Sequence, residues 1–332
     1  MTDGRAGRGN RRIELRGLGR TGIEVSRLCF GTLTVSPLQL NLAPGRAAEL
    51  MRQAVELGVN FFDTADLYGN YHQLAALVGV VGRDRLVLAT KTYAATAAAA
   101  RADLDRACRA LGTSYVDVYL LHEQESASTL AGHEGALAAM HELKRDGLVR
   151  AVGVSTHYVA GVRAAAQHPL VEVIHPICNL AGLGIPDGGM AAMRAAIEDA
   201  GRLDKGIYAM KPLGGGHLGR RAAEALAFVR DIPYIHSVAL GIGDVDELRF
   251  AAAVIAGRPV PEEVAAATRA QARRVIVEQW CNGCGQCVAR CSHGALQLSR
   301  GRAVVDPGIC TLCGYCAAAC PGPYIKVVSR YG

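Results

Sequence analysis

Short apolar runs recur along most of the chain, with amphipathic stretches between them. Eight runs end at Gly31, Asp63, Lys91, His122, Ser155, Cys178, Lys211 and Gly241, at intervals of 23 to 33 residues. Each interval has room for one strand, one helix and two short loops. The runs 86–89, 116–121 and 151–154 are apolar with hardly a break, as parallel strands buried on both faces should be. The Ala-rich stretches 45–57, 97–111, 133–145 and 220–230 carry the helical period instead. Eight regular βα units within the 268 residues from Ile13 to Trp280 predict an α/β fold. They point to a closed (β/α)8 barrel rather than an open doubly wound sheet. Ahead of the first barrel strand, 13–28 reads as a β-hairpin turning at 19–22 and placed to plug the barrel bottom. After the barrel (13–258), a linker (259–280) with a helix over 262–278 leads to a cysteine-dense unit, 281–332. Residues 1–12 read as a disordered basic tail.

Composition narrows the class. The chain is 50% hydrophobic and 20% charged, which excludes a disordered protein. It has no apolar run of membrane-spanning length, and 1–12 lacks the apolar core of a signal peptide. A protein of the cytoplasm that makes no use of a membrane is the expectation. The net charge is +6, and the five arginines of residues 1–16 against Asp3 and Glu14 supply half of it. A basic tail without a basic, aromatic-interleaved stripe on the body reads as a solvated arm, so no nucleic-acid partner is expected.

Eight of the eleven cysteines fall in the last 52 residues. They form Cys281-x2-Cys284-x2-Cys287-x3-Cys291 and Cys310-x2-Cys313-x2-Cys316-x3-Cys320-Pro321, two copies of one spacing. The pattern resembles the bacterial two-cluster ferredoxin domain over its full length and implies a small α+β unit holding two [4Fe–4S] clusters. In that family the fourth cysteine of each run serves the other cluster. The resemblance therefore assigns Cys281, Cys284, Cys287 and Cys320 to cluster one, and Cys310, Cys313, Cys316 and Cys291 to cluster two. Two zinc sites are the alternative, since four thiolates also bind zinc. Cys29, Cys108 and Cys178 read as small buried hydrophobes, Cys178 being the possible exception because it ends a strand.

Function in a barrel of this kind sits at the C-terminal ends of the strands. Asp63, Lys91, His122, Ser155, Asn179 and Lys211 fall there, with Tyr68 in the loop after the second strand. A carboxylate beside an ammonium keeps both ionised in a partly desolvated place. An ammonium near a phenol should lower the phenol's pKa and make Tyr68 a workable acid toward a carbonyl oxygen, with His122 orienting that oxygen.

Asp63-Thr64-Ala65-x-x-Tyr68-Gly69, Ala89-Thr90-Lys91, Asp117-x4-His122 and the opening Leu18-Gly19-Arg20-Thr21-Gly22 together resemble the aldo-keto reductases over about residues 13–258. The resemblance implies a TIM barrel, NADP or NAD as cofactor, and a catalytic set of Asp63, Tyr68, Lys91 and His122. Within it Tyr68 is the proton donor, Lys91 held by Asp63 tunes Tyr68, and His122 positions the carbonyl. Ser155 and Thr156 stand where the family has Ser-Asn, and His175 where it has a carboxamide-binding Gln, with Asn179 matching. Met210 takes the place of the aromatic that stacks on the nicotinamide, and Lys211 that of a phosphate-binding Ser. Gly241 and Gly243 occupy the adenosine-phosphate region, where Asp244 would repel a 2′-phosphate and Arg249 lies close enough to help. The Gly-x-Gly-x-x-Gly matches at 17–22 and 214–219 are not Rossmann fingerprints, although the second could face a phosphate. Glu123 and Glu125 read as solvated loop carboxylates, His133 and His141 as one exposed helix face, and Phe30 and Trp280 as packing residues.

The expectation is an oxidoreductase interconverting a carbonyl and an alcohol with a nicotinamide cofactor, its iron–sulfur clusters serving electron transfer or structure. The alternatives are a reductase driven by a ferredoxin-like donor without nicotinamide, and a non-catalytic electron-transfer protein.

Overall fold

The structure, a computed structural model, describes residues 12–269, 273–279, 281–322 and 324–329. Strands β1 (Leu15–Gly17) and β2 (Glu24–Ser26) form the antiparallel hairpin. Eight parallel strands follow: β3 (Leu28–Gly31), β4 (Phe61–Asp63), β5 (Val87–Thr92), β6 (Val116–Leu121), β7 (Val149–Thr156), β8 (Val173–Pro176), β9 (Gly206–Ala209) and β10 (Ser237–Gly241). They pair in that order, and β10 returns to β3 to close the barrel. The strand ends lie within two residues of the expected positions. Asp117, the one polar break in β6, is buried and accepts from the Leu88 N–H, Arg83 and Arg150, so no buried charge is left unpaired.

Two apolar layers hold the barrel. The outer layer sits between strands and helices. The inner one is formed by Cys29, Phe61, Val118, Leu120 and Tyr208, among others, together with Leu18, Ile23 and Val25 from the hairpin. The hairpin therefore closes the barrel bottom, as the sequence predicts, and the opposite mouth is left for the C-terminal segment.

That segment corrects one expectation. The helix predicted over 262–278 ends early: Glu262–Arg269 is helical, whereas Arg273–Val277 is strand β11. The β-branched trio Val275-Ile276-Val277 suits a sheet better than a helix. β11 pairs antiparallel with β14 (Ile325–Ser329), so the linker already belongs to the small unit's sheet. Strands β12 (Leu296–Ser299) and β13 (Arg302–Val305) and the short helices Gln286–Arg290 and Tyr315–Ala319 complete an α+β module. Trp280 lies outside the described residues, as does the tail up to residue 11. Phe30 packs in the core against Phe62, as expected. Among the described residues no helix is long and apolar enough to cross a membrane.

Candidate active site

The C-terminal ends of β4, β5 and β6 carry Asp63, Lys91 and His122 to one place, and the turn Asp66–Tyr68 brings Tyr68 over them. All four side chains are buried. Lys91 Nζ donates to Asp63 Oδ1 at 2.6 Å and to the Thr64 carbonyl at 2.8 Å. The Tyr208 hydroxyl donates to Asp63 Oδ2 at 2.8 Å. The carboxylate thus has both oxygens engaged, and the ammonium lies 5.1 Å from the centre of the Tyr68 ring. Each member of this ion pair would cost several kcal/mol to bury without the other.

Burial, and after it the Asp63 carboxylate, holds the Tyr68 phenol well above its ordinary pKa. The lowering expected from Lys91 is not found, because burial of the phenol outweighs it and the Asp63 carboxylate adds to the rise. Burial and then Lys91 push His122 well below the usual imidazole range. Tyr68 is therefore a neutral donor and His122 a neutral imidazole at ordinary pH.

A residue that sequence reasoning missed completes the group. Tyr315 enters the barrel mouth from the cysteine module, and its hydroxyl lies 3.2 Å from His122 Nε2. It tempers the rise in the Tyr68 pKa and packs with Ala65 and Tyr68. Its only local signal is an aromatic inside the second cysteine run, 193 positions from His122. The Tyr93 ring stacks on His122, centroids 4.6 Å apart. Its hydroxyl donates to Glu123, and Arg290 Nη2 donates to that hydroxyl at 3.0 Å. Glu123 is thus no solvated carboxylate: its side chain is 14% exposed and held by the module's arginine. Glu125 is exposed, as expected. His133 and His141 do not share an open face, since their rings bond to the Thr129 and Leu170 carbonyls.

The module seats on the barrel through two loops. Gly215 has φ +70°, and a side chain there would overlap the Thr311 backbone. Neighbouring His217 bonds to the Cys310 carbonyl, so the glycine loop 214–219 faces the module rather than a phosphate. Gly184, in the loop after β8, leaves room for His293 and Thr311.

Within the module the eight thiols separate into two sets. Cys281, Cys284, Cys287 and Cys320 line one cavity of about 260 Å³. Cys291, Cys310, Cys313 and Cys316 line another of about 370 Å³. Cys320 and Cys291 have crossed over, which is the arrangement the ferredoxin resemblance implies. Among the described residues no three His, Cys, Asp or Glu side chains converge tightly enough for a single metal ion. Zinc needs thiolates about 2.3 Å from one point. Two sets of four thiols, each lining its own cavity, suit two cubes of iron and sulfide.

The expected nicotinamide contacts are committed elsewhere. Both ends of the Asn179 amide bond to the Leu183 backbone. Ser155 Oγ accepts from the Glu123 N–H, and Thr156 Oγ1 from the Tyr158 N–H. His175 lies inside the barrel, its ring stacked on Tyr208 and its Nδ1–H on the Tyr208 carbonyl. Lys211 Nζ bonds to His157 Nε2 at 2.9 Å, and Met210 packs at the edge of the outer core. The Gly243 N–H is taken by Glu247 at 2.6 Å, while Gly241 presses on Thr34. With Tyr315 in the mouth as well, these residues do not fit a nicotinamide in this arrangement.

Burial depresses three histidines of the site, His122, His157 and His175, the last to about 4. The unfolded chain takes up protons on them below about pH 6.5 while the folded chain cannot. Stability is therefore full above that pH and falls as pH drops through it. Thermal midpoints recorded from pH 7.5 to 5 should decline from about pH 6.5. A flat profile to pH 5 would show that the three histidines protonate in place.

Comparison with known proteins places these features. A model of the aldo/keto reductase family matches residues 27–233, and a 4Fe-4S dicluster domain model matches 280–322. The chain is 29% identical over 227 residues to a 6-dehydroglucose reductase of Novosphingobium aromaticivorans, covering 61% of this chain and 70% of that one. It is 31% identical over 157 residues to an L-galactose dehydrogenase of Arabidopsis thaliana, covering 43% of this chain but only 49% of that relative. A solved aldo-keto reductase structure from Bacillus halodurans aligns with a TM-score of 0.63 at 19% identity, over 78% of this chain and 96% of that one. This last likeness concerns the fold alone.

Proposed function

The chain belongs to the aldo/keto reductase family and carries a C-terminal 4Fe-4S dicluster domain, and from that premise we propose that its barrel interconverts a carbonyl and an alcohol on a small molecule, with Tyr68 as proton donor. The observation carrying this reading is the convergence of Tyr68, Lys91, Asp63 and His122 in one buried group. A carbonyl oxygen takes the place of the Tyr315 hydroxyl, within reach of His122 Nε2 and the Tyr68 hydroxyl. His122, neutral, keeps its Nε2 proton and donates it as a hydrogen bond to that oxygen. Tyr68 gives its proton as negative charge builds on the oxygen. Lys91, anchored by Asp63, faces the phenolate that remains. Tyr93, stacked on His122, keeps water from the imidazole.

When bound, the two clusters would supply one electron each, the two that reduction of a carbonyl to an alcohol requires together with two protons, one to oxygen from Tyr68 and one to carbon from solvent. Tyr315 favours this electron source, because the loop carrying three cluster-two cysteines also places a side chain against His122. A ferredoxin-like donor would load the module from outside, in the cytoplasm, where thiols stay reduced. Family membership favours the second reading, in which NADP or NAD brings a hydride. That reading needs the module to leave the mouth and free Asn179 and Gly243.

An anaerobic titration of the cluster-loaded chain with NADPH and then NADH separates the two. No tight nucleotide binding and no bleaching of cluster absorbance are expected, while a reduced ferredoxin bleaches both clusters. Tight nucleotide binding would overturn the module as electron source and leave the Tyr68 chemistry standing.

A further inference from the structure

The two thiol-lined cavities differ in what else lines them. Around Cys281, Cys284, Cys287 and Cys320 the remaining walls are Leu298, Ala303, Ile325, Tyr324, Asn282 and two glycines. Around Cys291, Cys310, Cys313 and Cys316 they include His293 and Thr311. His293 Nε2 and Thr311 Oγ1 are both sealed from solvent, and neither has a hydrogen-bond partner in the protein. Thr311 as a whole is only 4% exposed. A buried polar atom without a partner is costly, and two in one cavity call for an acceptor inside it. The sulfides and thiolates of a cluster are acceptors only, which suits an N–H and an O–H.

We propose that His293 Nε2–H and Thr311 Oγ–H donate hydrogen bonds to the sulfurs of cluster two and thereby raise its reduction potential, whereas among the described residues no unpartnered buried side-chain donor lines cluster one. Hydrogen bonds to cluster sulfurs favour the more negative, reduced form, and so raise the potential. The surroundings act in the same sense. Lys211, just past the end of β9, brings a positive charge to the barrel side of this cavity through its bond to His157, whose ring lies beside that of His293. His293 is fixed from the barrel side, its ring 5.2 Å from that of His157, which bonds to Lys211.

The consequence is directional. Cluster one borders the exposed Cys284, and water supports its reduced form. Cluster two is tucked under the barrel mouth beside Tyr315, where burial would disfavour extra charge. The two donors offset that penalty, so an electron entering at cluster one is not stranded there. This inference goes beyond the carbonyl reading and does not depend on it, because it concerns the module's own potentials.

The test is an anaerobic redox titration of the loaded full-length chain, followed by electron paramagnetic resonance. Cys313→Ser, which changes one ligand of cluster two, identifies that cluster's wave independently. Thr311→Val and His293→Leu together should lower the cluster-two wave by about 59 mV, a tenfold change for one electron. The cluster-one wave should stay in place. Thr311→Val keeps the shape of threonine, and His293→Gln, which keeps a donor, should restore most of the loss. Iron content equal to wild type shows that the variants load both clusters. Waves that do not move, or that move together, would overturn the proposal.

Discussion

Tyr68→Phe is expected to lower the reduction of a simple aryl aldehyde by about 10²- to 10⁴-fold, the range a positioned proton donor contributes, with the fold unchanged. The ring keeps its packing against Ala65 and Tyr315, and only the hydroxyl goes. The Tyr68 ring lies beside both the Lys91 ammonium and the His122 imidazole. His122 cannot take over, because burial holds it neutral and a neutral imidazole is a much weaker acid than imidazolium. The measurement is single-turnover reduction by chain whose clusters have been pre-reduced, alongside the thermal midpoint. Activity within threefold of wild type at an unchanged midpoint would remove Tyr68 from the chemistry.

Stripping the iron should have the largest structural effect. The module's core is five buried side chains, Cys287, Leu296, Ala303, Cys316 and Ile325, two of them thiols. Units of this size rarely hold together on apolar burial alone. Without clusters, each set of four thiols loses the group that would tie its loops together. Chelation should therefore unfold 273–329 while the barrel, whose two apolar layers draw nothing from the module, stays folded. Hydrogen exchange would show lost protection in β11 to β14, and new exchange at Tyr93 and Glu123 as the mouth opens. Retained protection in β12 and β13 after complete iron loss would contradict this account.

Much of the architecture was legible because its signals are local. A short, nearly unbroken apolar run recurring at a βα interval marks a barrel strand, and the eight cysteines fall in two identical spacings. The crossing of Cys291 and Cys320 followed from the ferredoxin resemblance. The failures share a different cause. Val275-Ile276-Val277 looked like the end of a helix because its strand partner lies some fifty positions further on. Glu123 looked solvated because the arginine that covers it is in the module. Tyr315 was invisible as a site residue because nothing near it in sequence records that the module folds back onto the barrel. The fall in the Tyr68 pKa expected from Lys91 failed because burial disfavours the phenolate, and Asp63, needed to anchor the lysine, repels it as well.

Gly215 carries a consequence for engineering. It omits a side chain where the Thr311 backbone presses on the barrel, in a backbone conformation that L residues resist. Gly184 shares the positive φ, but a side chain there would meet the barrel's own Ile177 before His293 and Thr311. A bulky residue at 215 would therefore lever the module off its seat, whereas one at 184 would strain the barrel loop as well.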